Sequence, residues 1–147
     1  MKLIRLAKSY MRQAEFRLRD AIRAYKLKNY PYTLRLSQEV VELSLKASLR
    51  LVGIEYPKIH DVSDILIKFR ERFPQWFRSE VDYLAETSRK LALKRELSFL
   101  WCEDFLLTPE DLVSEEDAHD GLERARRTFK ICKKLLDEYI QKASGSQ

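Results

Sequence analysis

The sequence predicts an all-α protein, an up-and-down four-helix bundle with one additional short helix. Glycine and proline are scarce, 3 and 4 among 147 residues, so little interrupts a helical chain. Hydrophobic residues (45%) and charged residues (35%) alternate at spacings of three and four, the period of helices with one buried and one solvated face. A chain of this length supports one domain with a real core. Residues 1–143 are assigned to that domain and residues 144–147 to a disordered tail.

The first helix is predicted over residues 3–27, where Leu3, Ala7, Met11, Ala14, Leu18, Ala21, Ile22 and Tyr25 form one apolar stripe. Its other faces carry Lys2, Arg5, Lys8, Arg12, Arg17, Arg19, Arg23 and Lys26. Two readings stay open for so dense a set of cations: a solvated surface, or a groove for phosphate or RNA backbone. Tyr10 and Tyr25 lie near the apolar stripe and read as core, not as stacking platforms.

The second helix, residues 30–52, is the predicted centre of the bundle. Leu34, Val41, Leu45, Leu49 and Val52 form one row, and Leu36, Val40, Leu43, Ala47 and Leu51 a second. Together they make a face too wide for contact with a single neighbour. The polar residues Arg35, Gln38, Glu39, Glu42, Lys46 and Arg50 crowd the remaining arc, and Glu42 precedes Lys46 by four positions, in register for an intrahelical pair. Pro31 suits the first turn, and Gly53 the left-handed residue that ends a helix.

A loop with Pro57 follows, and Asp61 or Ser63 is the expected cap of a short helix bearing Val62, Ile65, Leu66 and Phe69. A long helix is expected over residues 75–107, with Phe77, Val81, Leu84, Leu91, Leu97, Leu100, Trp101 and Phe105 inward and a basic cluster at Arg89, Lys90, Lys94 and Arg95. Thr108 and Pro109, followed by two acids, signal a short turn. The last helix starts near Ser114 or Glu115 and runs to about residue 142, with Ala118, Leu122, Ala125, Phe129, Cys132, Leu135, Leu136 and Tyr139 inward.

The net charge of +5 hides a marked asymmetry, since residues 1–28 carry nine basic groups and two acids. Residues 103–123 carry nine acids and no lysine or arginine, and residues 124–134 six basic groups and no acid. An acidic helix start and basic middle suit the macrodipole. No apolar run reaches membrane-span length and the N-terminal segment is charged throughout, so a cytoplasmic protein without membrane association is expected. Cys102 and Cys132 lack zinc-type spacing and read as free thiols. Glycine-rich phosphate loops, GxSxG elbows and recognisable DNA-binding motifs are absent, and no cofactor is expected. Glu116 and His119 match one half of a di-iron Glu-x-x-His set, but a single pair does not make a metal site, so none is assigned.

Residues 38–53, QEVVELSLKASLRLVG, followed by His60 and an apolar short helix, resemble the HEPN family (higher eukaryote and prokaryote nucleotide-binding domain). Gln38, Glu39, Glu42, Lys46, Gly53 and His60 fall on the family's helix pattern of paired Gln or Glu, E-x-x-x-K, Gly and a following histidine. Arg95, Phe99 and Ala118 match its R-x-x-x-aromatic and closing-helix alanine pattern. The resemblance implies a homodimeric four-helix bundle, working in many members with a separately encoded nucleotidyltransferase and in others as a ribonuclease of toxin–antitoxin or defence systems. The ribonuclease branch carries Arg, four to six residues, then His. Gly53, Ile54 and Glu55 precede His60 at the required distances, and Leu112, Val113 and Ser114 precede His119, so no catalytic residue is assigned. The resemblance points instead to a non-catalytic module binding a nucleotide or a minimal nucleotidyltransferase through Glu42, Lys46, His60 and Arg95. Equally available is an intrahelical Glu42–Lys46 pair with no ligand. The alternative function is an RNA-binding or RNA-cleaving HEPN toxin that lacks the usual motif.

Overall fold

The computed structural model describes residues 1–145, with all their side chains except those of residues 99–101. The described residues form helices α1 (Lys2–Lys26), α2 (Tyr30–Leu51), α3 (Ser63–Lys68), α4 (Gln75–Arg78), α5 (Val81–Phe105), α6 (Pro109–Leu112) and α7 (Glu115–Gly145), a 3-10 turn at Arg70–Arg72, and no strand. The four long helices alternate in direction. Arg17 meets Glu39 and Tyr25 meets Tyr30, so α1 is antiparallel to α2. Arg95 meets Gln38 near the start of α2, whereas Ser88 meets the chain beyond its end, so α5 also opposes α2.

At the centre, α2 buries Leu34, Leu36, Val40, Val41, Leu45, Ala47, Leu49 and Leu51, together with Thr33, Ser37, Gln38, Ser44 and Ser48. The small hydroxyl residues let neighbours approach closely while bonding back along the helix: Ser37 Oγ donates to the Thr33 carbonyl (2.7 Å) and Ser48 Oγ to that of Ser44 (3.1 Å). Gly121 of α7 rests on this surface, and a Cβ there would lie 2.8 Å from Leu34 Cδ1.

Local signals set most helix ends. The Asn29 side chain accepts from the Tyr32 N–H at the start of α2, with Pro31 in the first turn. Gly53 adopts φ 77°, and the bonds from its N–H to the Arg50 carbonyl (3.0 Å) and from Ile54 N–H to that of Leu49 (3.0 Å) form a Schellman motif. Thr108 and Asp111 form a reciprocal capping box on α6, and Ser114 and Asp117 exchange the same pair of bonds at the start of α7.

Several expectations are corrected. The helix expected from residue 75 is broken at Ser79 and Glu80, where Glu80 N–H bonds the Phe77 carbonyl in a tight turn, and both flanking residues Phe77 and Val81 are fully buried. Val62, not Asp61 or Ser63, is the capping position of α3; Asp61 Oδ1 accepts from the Ser63 N–H (2.9 Å) one residue outside it. Leu3, Leu97 and Phe105, expected inward, are 40%, 37% and 67% exposed. The inward expectations for Leu100 and Trp101 lie outside the described side chains. Ser144 and Gly145, expected in a tail, continue α7, and residues 146–147 lie outside the description.

The charge segregation also has a tertiary cause. Lys94 pairs with Asp117, Lys90 with Asp120 (3.0 Å) and Arg127 with Glu80 (3.0 Å), while Arg124 donates to Thr87 Oγ1 (2.9 Å). Long polar side chains thus bridge α5 and α7. No described helix is long and apolar enough to cross a membrane.

Candidate functional site

With α1, α5 and α7 packed around α2, one arc of the central helix is left to its polar side chains. Gln38, Glu42, Lys46 and Arg50 recur every four residues and so stand in one row. The Glu42 carboxylate is the node. Its Oε1 accepts from Gln38 Nε2 (3.0 Å) and faces His60 Nδ1 (2.5 Å), and its Oε2 receives Lys46 Nζ (3.0 Å). On the far side of the Gln38 amide, Oε1 accepts from Arg95 Nη1 of α5. The four residues expected at the site, Glu42, Lys46, His60 and Arg95, are therefore brought into one network, with Gln38 as the bridge.

Sequence reasoning placed Gln38 on the polar arc and missed its role, because its 2% exposure is set by packing of α5 and cannot be read from periodicity. It also missed Arg50 and Tyr56. The loop after α2 folds Tyr56 back under the row, with Lys46 Nζ 5.3 Å and the Arg50 guanidinium 4.9 Å from its ring centroid. Arg50 Nε is buried without a hydrogen-bond partner.

Burial by itself would raise the Glu42 carboxyl, but the bonds from Gln38, His60 and Lys46 outweigh it and hold the group below its ordinary value. The Glu42 and Lys46 side chains are 18% and 13% exposed, whereas that of His60 is 59% exposed. Nδ1 of His60 is turned to the carboxylate while much of the ring stays open to solvent. Burial pushes the Tyr56 phenol up, against the opposing effect of Arg50.

Glu116 and His119 are both exposed at the start of α7, where the His119 ring lies 6.0 Å from that of Tyr25. Among the described residues, no three carboxylate, histidine or cysteine groups are arranged to hold a metal.

The family model of the HEPN domain matches residues 7–135. The chain belongs to the HEPN family. The match takes in α2, the loop bearing His60, and α5, and thus every residue of the polar row. No curated protein and no solved structure gives a significant match to the chain. In this HEPN domain Glu42 neutralises one cation and orients another group, while Arg95 reaches the row through one guanidinium nitrogen and Arg50 Nε lies enclosed beside Tyr56.

Proposed function

We propose that this HEPN domain is a non-catalytic module that binds a nucleotide over the polar row of α2. The observation that carries the reading is the Glu42 node, which gathers Lys46, His60 and, through Gln38, Arg95 from three separate stretches of chain. One carboxylate holding several cationic or donor groups leaves a net positive site. Phosphate oxygens are the natural occupants of such a site, and Tyr56 supplies an aromatic surface beside it.

In this reading residues 1–143 act as one cytoplasmic unit that works as a homodimer. Its working partner is a separately encoded minimal nucleotidyltransferase in a toxin–antitoxin or defence-type system, and the nucleotide is what the two share. Two experiments test the halves of the proposal. Calorimetric titration with nucleoside mono-, di- and triphosphates should show binding that Lys46→Ala and Arg95→Ala each abolish; unchanged binding in both variants would remove the site. Affinity purification from the native host should recover a nucleotidyltransferase in near-stoichiometric amount, and its absence would remove the partner.

A further inference from the structure

Outside that row, the largest unpaired set of charges lies on α1. Arg5, Lys8, Arg12, Phe16, Arg19, Arg23 and Lys26 recur at intervals of three and four, which places them along one line of the helix, away from the buried Ala7, Met11, Ala14 and Ala21. All seven are exposed. At 1.5 Å per residue the line is about 32 Å long. Arg19 pairs with Glu15 (2.9 Å), but Arg5, Lys8, Arg12, Arg23 and Lys26 form no ion pair among the described residues. Across the α5–α7 seam, by contrast, Lys90, Lys94, Arg124 and Arg127 all meet acids. Leaving five cations of one line unpaired costs helix stability through like-charge repulsion between neighbouring turns. A bound polyanion removes that repulsion.

Phe16 adds a second indication. It is 51% exposed in the middle of the line, and the Arg19 guanidinium stands 5.9 Å from its ring centroid. Placed between Arg12 and Arg19, the ring is a surface on which an unstacked base can lie. A membrane surface fits poorly, because the apolar stripe of α1 is spent on the core and one ring offers little insertion.

We propose that the outer face of α1 is a track for a single-stranded polynucleotide, its six cations contacting phosphates and Phe16 stacking one base. With the cations on phosphates and Phe16 on a base face, contacts common to both polymers, RNA and DNA strands should bind alike. The track is separate from the row on α2, so Lys46→Ala with Arg95→Ala should leave it untouched, and the failure of one proposal is distinguishable from failure of the other.

The test is fluorescence anisotropy with labelled oligouridylate and oligothymidylate of roughly 20 nucleotides, over salt from about 50 to about 200 mM. Six phosphate contacts predict a slope of log K against log salt of about −4. Replacing Arg5, Arg12, Arg19 and Arg23 by Gln should reduce the slope to about −1 and weaken binding about tenfold or more at the lowest salt. Phe16→Ala should weaken binding about fivefold or more and leave the slope unchanged. All changed side chains are exposed, and circular dichroism is the check that the helices persist. No binding at the lowest salt, or a quadruple variant that binds like the parent, would overturn the proposal. So would equal binding to duplex DNA or to anionic phospholipid vesicles together with indifference to Phe16→Ala.

Discussion

Arg95 of α5 donates through Nη1 to Oε1 of Gln38 on α2, joining side chains 57 positions apart. Gln38 is nearly fully buried, so its amide has no water to fall back on. Its orientation is set from both sides: a donor arrives at the oxygen, and Glu42 accepts from the nitrogen. The contact locks α5 to the polar face of the central helix. Gln38→Ala leaves both partners without it and should cost about 1–3 kcal/mol of stability, read as a lowered midpoint in thermal or urea unfolding. An unchanged midpoint would mean that the bridge contributes nothing to the fold.

The Glu42 carboxyl is held below its ordinary value when folded. A depressed folded value stabilises the protein above the ordinary carboxylate range, and that contribution fades as pH falls through the folded value. The parent should therefore exceed Glu42→Gln in melting temperature at about pH 7, with the gap closing below about pH 4.5. Asp117 and Asp120 are also depressed, but they titrate equally in both proteins and drop out of the difference. A gap independent of pH would contradict the assigned charge state.

Cys132 is buried in α7 and burial pushes its thiol up to about 12, whereas Cys102 is half-buried. Only thiolate reacts quickly with disulfide reagents. An Ellman titration of the native protein should show one accessible thiol, removed by Cys102→Ser, with the second appearing on denaturation. Fast reaction in Cys102→Ser would place Cys132 nearer the surface.

The α2 rows carry unequal weight from the exposed end of α5. Leu45 is fully buried, so Leu45→Ala should cost about 2–5 kcal/mol. Leu97, expected inward from its spacing, is 37% exposed, and Leu97→Ala should cost well under half as much. Chemical denaturation of both variants checks the contrast.

What could be read from the sequence follows what is local. The rows of α2 and their central burial follow from helical period, and the ends at Pro31, Gly53, Thr108 and Ser114 follow from cap chemistry. The break at Ser79–Glu80 carries no glycine or proline of its own and arises from the tight turn between buried Phe77 and Val81, so periodicity ran through it. Leu97 and Phe105 keep an inward spacing, but they stand 37% and 67% exposed, because period alone does not say how closely neighbouring helices pack. At the candidate site, Glu42, Lys46, His60 and Arg95 were visible as residues matching the family's pattern. Gln38 also matches that pattern, but its role as a bridge, and the places of Arg50 and Tyr56, became visible only through long-range packing: α5 against α2, and the loop after α2 returning beneath its polar face.

His60 offers the most direct report on whether the row around Glu42 receives a nucleotide. The chain has two histidines, and only His60 belongs to the row, with its side chain largely open to solvent. Histidine side-chain nitrogen resonances, followed by NMR while a nucleoside triphosphate is added, therefore report on the site with an internal control. The account predicts saturable movement of the His60 signals, still signals from His119, and loss of the movement in Lys46→Ala. Saturable nucleotide binding that leaves His60 unmoved, or no binding by any nucleoside triphosphate, would contradict it.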